Sequence, residues 1–258
     1  MKNIFYPHLW QNIMAKRLKT MKEKLQYVND EIKGMALADS IPYVIKNFEG
    51  KKVFSTSFGI EDQALTHYIA PYAEFVSTFT LDTGRQFNET YEVFQKTQNK
   101  YSNLHIATFF PEEKDIKAYV TSQGINGFYN SIESRKECCR IRKVVPLQKA
   151  IKGADLWITG LRAEQSENRE HMDLLEWDEA NQLVKFNPLL LYTLKEVEAI
   201  VNSYNIPLNS LYKKGYLSIG CAPCTRALEE GEPFRAGRWW WEDGKKECGL
   251  HIHTDKNY

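Results

Sequence analysis

Lys52-Val53-Phe54-Ser55-Thr56-Ser57-Phe58-Gly59-Ile60-Glu61-Asp62 is the stretch that decides the architecture. Residues 52–56 read as a short β-strand, and the hydroxyl-rich turn that follows opens a helix through Ala70. A strand running into such a turn is a natural anion cradle. Backbone N–H groups and the helix dipole point at the ligand, and the hydroxyls of Ser55, Thr56 and Ser57 add donors around Phe58 and Gly59. The Gly-Lys-Ser/Thr of a Walker A loop is missing, and a plain serine-containing β–α loop accounts for the turn equally well.

The same grammar repeats downstream. A second strand at 74–81 ends in Asp82-Thr83-Gly84-Arg85, a helix follows over 88–100, and a third strand at 104–109 precedes a helix opened by Pro111-Glu112-Glu113. A further strand at 155–159 runs into Gly160-Leu161-Arg162-Ala163-Glu164-Gln165-Ser166-Glu167-Asn168-Arg169. Strand–helix alternation of this kind predicts a doubly wound, mainly parallel α/β sheet, whose ligands bind at the carboxyl ends of the strands. All three polar turns fall on that edge. Asp82 reads either as a helix-start residue or as a contact to ribose or adenine, and Arg162 and Arg169 read as anion contacts rather than solvated arginines.

Residues 11–48 carry helical periodicity, with Gly34 between two helices, and Ser131 is expected to cap one helix running from 132 to about 151. Residues 173–186 read as an exposed, hairpin-like insertion, and a helix at 195–204 returns to the core pattern. Three consecutive tryptophans, Trp239 to Trp241, cannot share one side of a regular element, so some must pack against other segments. The expected organisation is a pair of N-terminal helices packed on the core over 1–50, a nucleotide-binding α/β domain over 51–230, and a mobile C-terminal tail over 231–258.

A chain of 258 residues with 43% hydrophobic content, 13 Phe, 14 Tyr and 6 Trp has ample material for a core. Its net charge of +1 argues against a surface-wide polyanion site, so nucleic acid is not an expected partner and any anion site is local. No apolar run reads as a signal peptide or a membrane span, which gives a cytoplasmic, membrane-free expectation.

Five cysteines carry the chemistry. Cys138 and Cys139 are adjacent, and Cα atoms ~3.8 Å apart fall short of the usual ~4.4–6.8 Å disulfide span. Cys221 and Cys224 form a C-A-P-C pair, and Cys248 stands alone in Lys-Glu-Cys-Gly-Leu-His. Four sulfurs on one centre would leave the fifth as a free thiol. A C-C doublet departs from the C-x(2–4)-C spacing of a zinc knuckle and favours an iron–sulfur centre over zinc or unliganded thiols.

Taken together, Ser-Thr-Ser-Phe-Gly-Ile-Glu-Asp, Leu-Asp-Thr-Gly-Arg, Cys-Cys-Arg-Ile-Arg-Lys, Gly-Leu-Arg-Ala-Glu-Gln-Ser, Cys-Ala-Pro-Cys, Arg-Ala-Gly-Arg-Trp-Trp-Trp-Glu and Glu-Cys-Gly-Leu-His resemble the assimilatory adenylyl-sulfate (APS) reductases of the phosphoadenylyl-sulfate (PAPS) reductase family. The resemblance covers about residues 53–251. It implies an adenine nucleotide α-hydrolase-like (PP-loop type) fold, a [4Fe-4S] cluster on Cys138, Cys139, Cys221 and Cys224, and thioredoxin-dependent reduction of APS to sulfite and AMP. It further implies that Cys248 is the nucleophile and that Lys143, Arg162, Arg235 and Arg238 hold the phosphosulfate. All four cluster cysteines favour APS as substrate, while Phe58-Gly59 also resembles PAPS-preferring relatives. A homo-oligomer is expected.

The residue inventory suits that chemistry. A thiolate attacking a sulfonyl sulfur beside a phosphate meets repulsion of about 4 kcal/mol per unit-charge pair 4 Å apart at an effective dielectric of 20, so several cations are required. Once four cysteines are assigned to a centre, the thiol that releases sulfite must come from a partner. Because Cys248 must meet first a nucleotide and then a protein, Gly244 and Gly249 are expected flexible points. Two rival readings are an ATP pyrophosphatase, which wants an S-G-G-x-D-S-type turn absent here, and a metal-stabilised binding module in which Cys248 is idle.

Overall fold

The computed structural model describes residues 21–165 and 172–242. Helices α1 (Met21–Ile32) and α2 (Leu37–Asn47) are joined by a turn in which Gly34 has φ +82°, a left-handed conformation that glycine adopts without a Cβ clash. The α/β unit then runs β1 (Lys52–Ser55), α3 (Ile60–Ile69), β2 (Val76–Leu81), α4 (Asn88–Lys100), β3 (Ile106–Phe109), α5 (Glu113–Gln123), α6 (Ile132–Cys139), α7 (Val145–Ala150) and β4 (Leu156–Ile158). Strands β5 (Leu175–Asp178) and β6 (Leu183–Phe186) and helix α8 (Leu194–Ser203) complete it.

The six strands lie in the order β3-β2-β1-β4-β6-β5, parallel throughout except that β5 runs antiparallel to β6. Chain order reverses direction about β1, which pairs with both β2 and β4, so the fold is doubly wound and the β1 and β4 turns face one crevice. Among the described residues no helix is long and apolar enough to cross a membrane.

One core cluster joins Val28, Ile32, Ile41 and Val44 of the first two helices to Phe54, Leu65, Ile158, Val184 and Val201 of the α/β unit. A second cluster, on the opposite face of β1 and β4, packs Val53 and Trp157 against Leu147 and Ile151. Alternation along β1 explains the division: Val53 and Phe54 are neighbours and point to opposite faces.

Two expectations are corrected. Residues 173–186 do form a hairpin, yet not an exposed insertion: β6 is buried along its whole length and pairs in parallel with β4 inside the sheet. Its charged residue Lys185 is buried because Glu176 Oε1 accepts its ammonium at 2.8 Å. The outer strand β5 is covered by α1, where the Asn29 amide donates to Leu175 O at 2.8 Å and accepts from Leu175 N at 2.7 Å, closing the edge. The helix expected over 132–151 is three segments. A π-helical turn, Arg140–Val144, separates α6 from α7, and the Val145 amide donates to Arg140 O. Pro146, just inside α7, has no N–H to donate to the fourth carbonyl back, and the wider turn upstream accommodates it.

Candidate active site

At the carboxyl edge of β1, β2 and β4 lies a cleft of about 240 Å³. Its walls come from the β1 turn (Ser55, Thr56, Ser57, Gly59), the first turn of α3 (Glu61, Asp62), the β4 turn (Gly160, Leu161, Gln165) and Tyr212. Lys143 of the π-turn and Arg235 and Arg238 of the C-terminal segment close it.

The β1 turn is not the cradle of open N–H groups that its sequence suggested. Ser57 N donates to Asp62 Oδ2 at 2.6 Å, Phe58 N to Thr56 Oγ1 at 3.1 Å, Gly59 N to Ser57 Oγ at 3.4 Å, and Ile60 N to the Tyr212 hydroxyl at 2.8 Å. What the turn shows the cleft is hydroxyls and a carboxylate. The Ser55 hydroxyl is oriented by Trp157, whose Nε1 donates to it at 2.8 Å across the β1–β4 pair. Phe58, at φ +60°, turns away and stacks on Phe94 with ring centroids 4.6 Å apart. Burial pushes the Asp62 carboxyl up to about 6, against the lowering effect of its Ser57 hydrogen bonds.

Arg162 is 1% exposed and does not line the cleft. Its Nε donates to Glu61 Oε1 at 2.9 Å and its Nη1 to Glu164 Oε2 at 2.7 Å, so it neutralises the acidic wall from behind. Gln165 adds a hydrogen bond to Glu61 at 3.0 Å. Asp82, Thr83 and Gly84 do not line this cleft: Asp82 lines a separate small cavity behind the β1 turn with Phe58 and Tyr91, and Arg85 at the end of its turn lines the cysteine cavity. Asp82 accepts from Gly84 N at 2.8 Å and from the Tyr91 hydroxyl, Gly84 sits at φ +69°, and Thr83 O accepts from Arg142 Nη1 at 2.6 Å.

The cysteine cavity, about 20 Å³, is lined by Cys138, Cys139, Cys221 and Cys224. Two helical turns and the C-A-P-C loop bring them together. The Ser131 hydroxyl caps α6 by accepting from Ser134 N, which fixes the helix that ends in the doublet. The C-A-P-C loop is tied to β2's turn by Ala222 N donating to Arg85 O at 2.8 Å and by Cys221 Sγ lying 3.3 Å from Thr83 Oγ1. The described cysteines form no disulfide. Burial pushes Cys138 up and Cys224 up to about 12, so as bare thiols these two are protonated at neutral pH. Among the described residues no group of three or more His, Cys, Asp or Glu stands close enough to hold a single metal ion.

The donor set nevertheless fits an anionic thiolate centre. The residues lining this cavity include neither carboxylate nor imidazole, and Arg85, Arg135, Arg142 and Lys143 surround the sulfurs. Three buried N–H groups, Arg142 Nε, Arg238 Nε and Trp239 Nε1, find no acceptor among the described residues. Buried donors of this kind are normally satisfied; Arg142 lines the cysteine cavity and Arg238 the cleft, where anions would satisfy their two.

Trp239 is the hub between the cavities. It is 1% exposed at φ +42°, with the guanidinium carbons of Arg135 and Arg238 4.6 and 4.9 Å from its ring centroid and that of Arg235 at 6.0 Å. Trp241 packs on Tyr129, while Trp240 stays 39% exposed, so the tryptophan run divides as expected. The segment is stitched to the C-A-P-C loop by Arg226 N donating to Gly237 O and Trp239 N to Cys224 O. Gly220 leaves room for the Arg238 guanidinium, whose Cζ would lie 2.6 Å from a Cβ added there. Arg135 makes a bidentate ion pair with Glu242, at 2.9 and 2.8 Å, with both side chains under a tenth exposed. Replacing Glu242 by Gln is expected to lower stability by about 2 kcal/mol in denaturant unfolding, because a buried guanidinium loses its counter-charge. Unchanged stability would mean the pair is not formed.

Cys248 and Arg169, together with Gly244 and Gly249, lie outside the described residues. Trp157, Gln165, Tyr212 and Asp62 line the cleft without having been singled out from sequence. Asp62 stands inside a motif already noted, whereas nothing around Tyr212 signals that its hydroxyl reaches the start of α3.

The comparisons with known proteins agree with this geometry. The family model for the phosphoadenosine phosphosulfate reductase domain matches residues 51–227. The chain is 47% identical over 220 residues to an adenosine 5'-phosphosulfate reductase of Agrobacterium fabrum, covering 85% of this chain and 84% of that protein. It is 38% identical to the protein of the same name from Neisseria meningitidis serogroup A, covering 96% of this chain and 99% of that one. Among solved structures, a phosphoadenylyl-sulfate (PAPS) reductase from Candida auris, in a phosphate complex, superimposes with a TM-score of 0.68 at 21% identity, covering 80% of this chain and 98% of that one. With its doubly wound sheet and a family match that spans most of the α/β unit, this chain belongs to the phosphoadenosine phosphosulfate reductase family.

Proposed function

We propose that this chain reduces adenylyl sulfate to sulfite and AMP, the reductive step of sulfate assimilation, using Cys248 as nucleophile and a dithiol protein such as thioredoxin as electron donor. The observation that carries the reading is that Lys143 lines both the nucleotide-sized cleft and the four-cysteine cavity. A cationic cleft end sharing a wall with a thiolate centre is what a phosphosulfate and a cluster side by side require.

The nucleoside half of the substrate lies along Ser55, Thr56, Ser57 and Gly59, and the phosphosulfate faces Lys143, Arg235 and Arg238. Arginine forks match tetrahedral oxyanions, and the three cations offset the repulsion that an approaching thiolate meets. The Cys248 thiolate attacks the sulfonyl sulfur. A sulfur–sulfur bond forms, the bridging sulfur–oxygen bond breaks with its electron pair going to the phosphate oxygen, and AMP leaves. A thiolate of the donor then attacks Cys248 Sγ and displaces sulfite. The second donor thiol resolves the mixed disulfide, regenerating Cys248 and leaving the donor oxidised.

Cys138, Cys139, Cys221 and Cys224 would hold a [4Fe-4S] cluster, whose thiolate-bound core supplies a fixed negative charge and a brace beside Lys143. Arg85, Arg135 and Arg142 offset that charge. Thr83 and Gly84 support the cluster side, Asp82 shapes their turn, and Arg162 acts by holding Glu61 in place. Arg169 is assigned to the phosphosulfate from its place in the sequence alone. Assembly as a homo-oligomer and a cytoplasmic setting, whose reducing conditions keep Cys248 a thiol, complete the reading.

The test is direct. Purified protein incubated with adenylyl sulfate and reduced thioredoxin should release sulfite and AMP in equal amounts and contain iron and acid-labile sulfide. Absence of sulfite release would end the reading.

A further inference from the structure

Over residues 226–237 the chain forms neither helix nor strand, so its course rests on individual contacts. The ends of this loop close on each other. Thr225 and Arg238 form an antiparallel bridge, and Arg226 N donates to Gly237 O at 2.9 Å. Gly237 permits that approach, since a Cβ added there would lie 2.4 Å from Arg226 O. The Arg226 side chain reaches the other way, to the tip of the loop. Its Nη2 donates to Glu232 Oε1 at 2.6 Å and its Nη1 to Glu232 Oε2 at 2.7 Å, a bidentate fork. Glu232 Oε2 also accepts from Glu229 N at 2.9 Å, closing the tip around Gly231 at φ +84°. One residue therefore grips both ends of the returning arm, residue 232 through its guanidinium and residue 237 through its backbone.

That arm, 233–236, brings Phe234 and Arg235 to the cleft wall, and Arg238 follows two residues later. Within it Ala236 N donates to Pro233 O at 2.8 Å and Arg238 N to Arg235 O at 3.0 Å, turns that keep the arm compact. An arginine side chain has many rotamers, and it holds an anion in a defined place only when its backbone is fixed. This loop has no strand ladder to fix it. We propose that Arg226 and Glu232 form a clasp that positions Arg235 and Arg238 for the phosphate end of the nucleotide. The proposal rests on the adenylyl sulfate reading above. Neither clasp residue lines the cleft, so both act through the arm as positioning residues. With side chains 32% and 26% exposed, the pair contributes little to global stability, and its removal should leave the fold standing.

Calorimetric titration of the full chain with AMP and with adenosine tests it, because the ratio of the two affinities isolates what the phosphate gains. Wild-type protein is expected to prefer AMP about tenfold or more. Glu232→Gln and Arg226→Met should each lower that preference about fivefold while adenosine binding stays within about twofold. Because the clasp acts as one unit, the two changes combined should cost no more than either alone. An unchanged AMP preference in the folded variants would overturn the inference, as would losses that add in the double variant or a wild type that binds both ligands alike. A loss shared equally by AMP and adenosine would also overturn it, leaving the pair a structural brace. Should these variants fail to fold, Glu232→Asp decides. It keeps the charge on a side chain one methylene shorter, so the preference should fall about threefold, and a wild-type preference would reject the clasp. Failure to turn over adenylyl sulfate with the ratios shifted as expected would remove the reductase reading alone, whereas unmoved ratios with intact turnover would remove the clasp alone.

Discussion

Replacing Cys248 with serine is expected to abolish sulfite release from adenylyl sulfate, by roughly four orders of magnitude or more, because a hydroxyl at neutral pH cannot take over attack on the sulfonyl sulfur. The expectation comes from dividing the sulfurs. Of five cysteines, Cys138, Cys139, Cys221 and Cys224 line one cavity together with Arg85, Arg135, Arg142 and Lys143, and only Cys248 is left for chemistry. Iron content should be unchanged in Cys248→Ser, and AMP should bind within about threefold of wild type, since the cleft cations Lys143, Arg235 and Arg238 are intact. Intact-mass spectrometry separates loss of attack from loss of turnover. Wild-type protein given adenylyl sulfate without a reductant should gain the mass of one SO₃ group, and the serine variant should not. Sulfite production that survives in Cys248→Ser would refute the assignment, and an SO₃ adduct mapping to another cysteine would move it.

Much of this was legible in the chain because hydrophobic period and turn chemistry agree with one another. Residues 52–62 announced strand, turn and helix, and β1 with α3 follow that reading to within a residue. The hairpin of β5 and β6 was misplaced for a physical reason. Lys185 inside Leu183-Val184-Lys185-Phe186 looks like a solvent-facing position, and only the fold reveals that Glu176 neutralises it and that Trp157 lies 6.0 Å away. The π-turn was equally hidden, since Pro146 signals a break in helical hydrogen bonding but not whether the helix ends or widens. Arginines in a turn after a buried strand raise a harder problem. A sequence cannot distinguish one that faces a ligand from one that, like Arg162, faces a carboxylate brought in from a distant helix. Long-range pairing also conceals Tyr212, whose hydroxyl caps the start of a helix 152 residues away in the chain.

Removing the Lys143 ammonium should be the next most damaging change. Lys143→Ala is expected to lower kcat/KM about 10²- to 10³-fold, the usual loss for one preorganised group facing developing charge. Iron content should stay near wild type, because none of the four sulfurs is touched. The placement of the residue is what makes the two readouts separable. Lys143 sits in the π-turn immediately after the cysteine doublet, and from there it lines the cleft and the cysteine cavity at once. A residue that only braced the cluster would lose iron and activity in parallel when truncated. One that only bound the nucleotide would raise KM and spare kcat. If its ammonium instead meets the charge that builds on the leaving phosphate oxygen, kcat falls while iron persists. Lys143→Arg should then recover part of the rate, since the charge is kept but the planar fork is presented differently at the same wall. A proportional loss of iron and turnover in Lys143→Ala would assign the residue to cluster support and leave Arg235 and Arg238 as the cations that face the phosphosulfate.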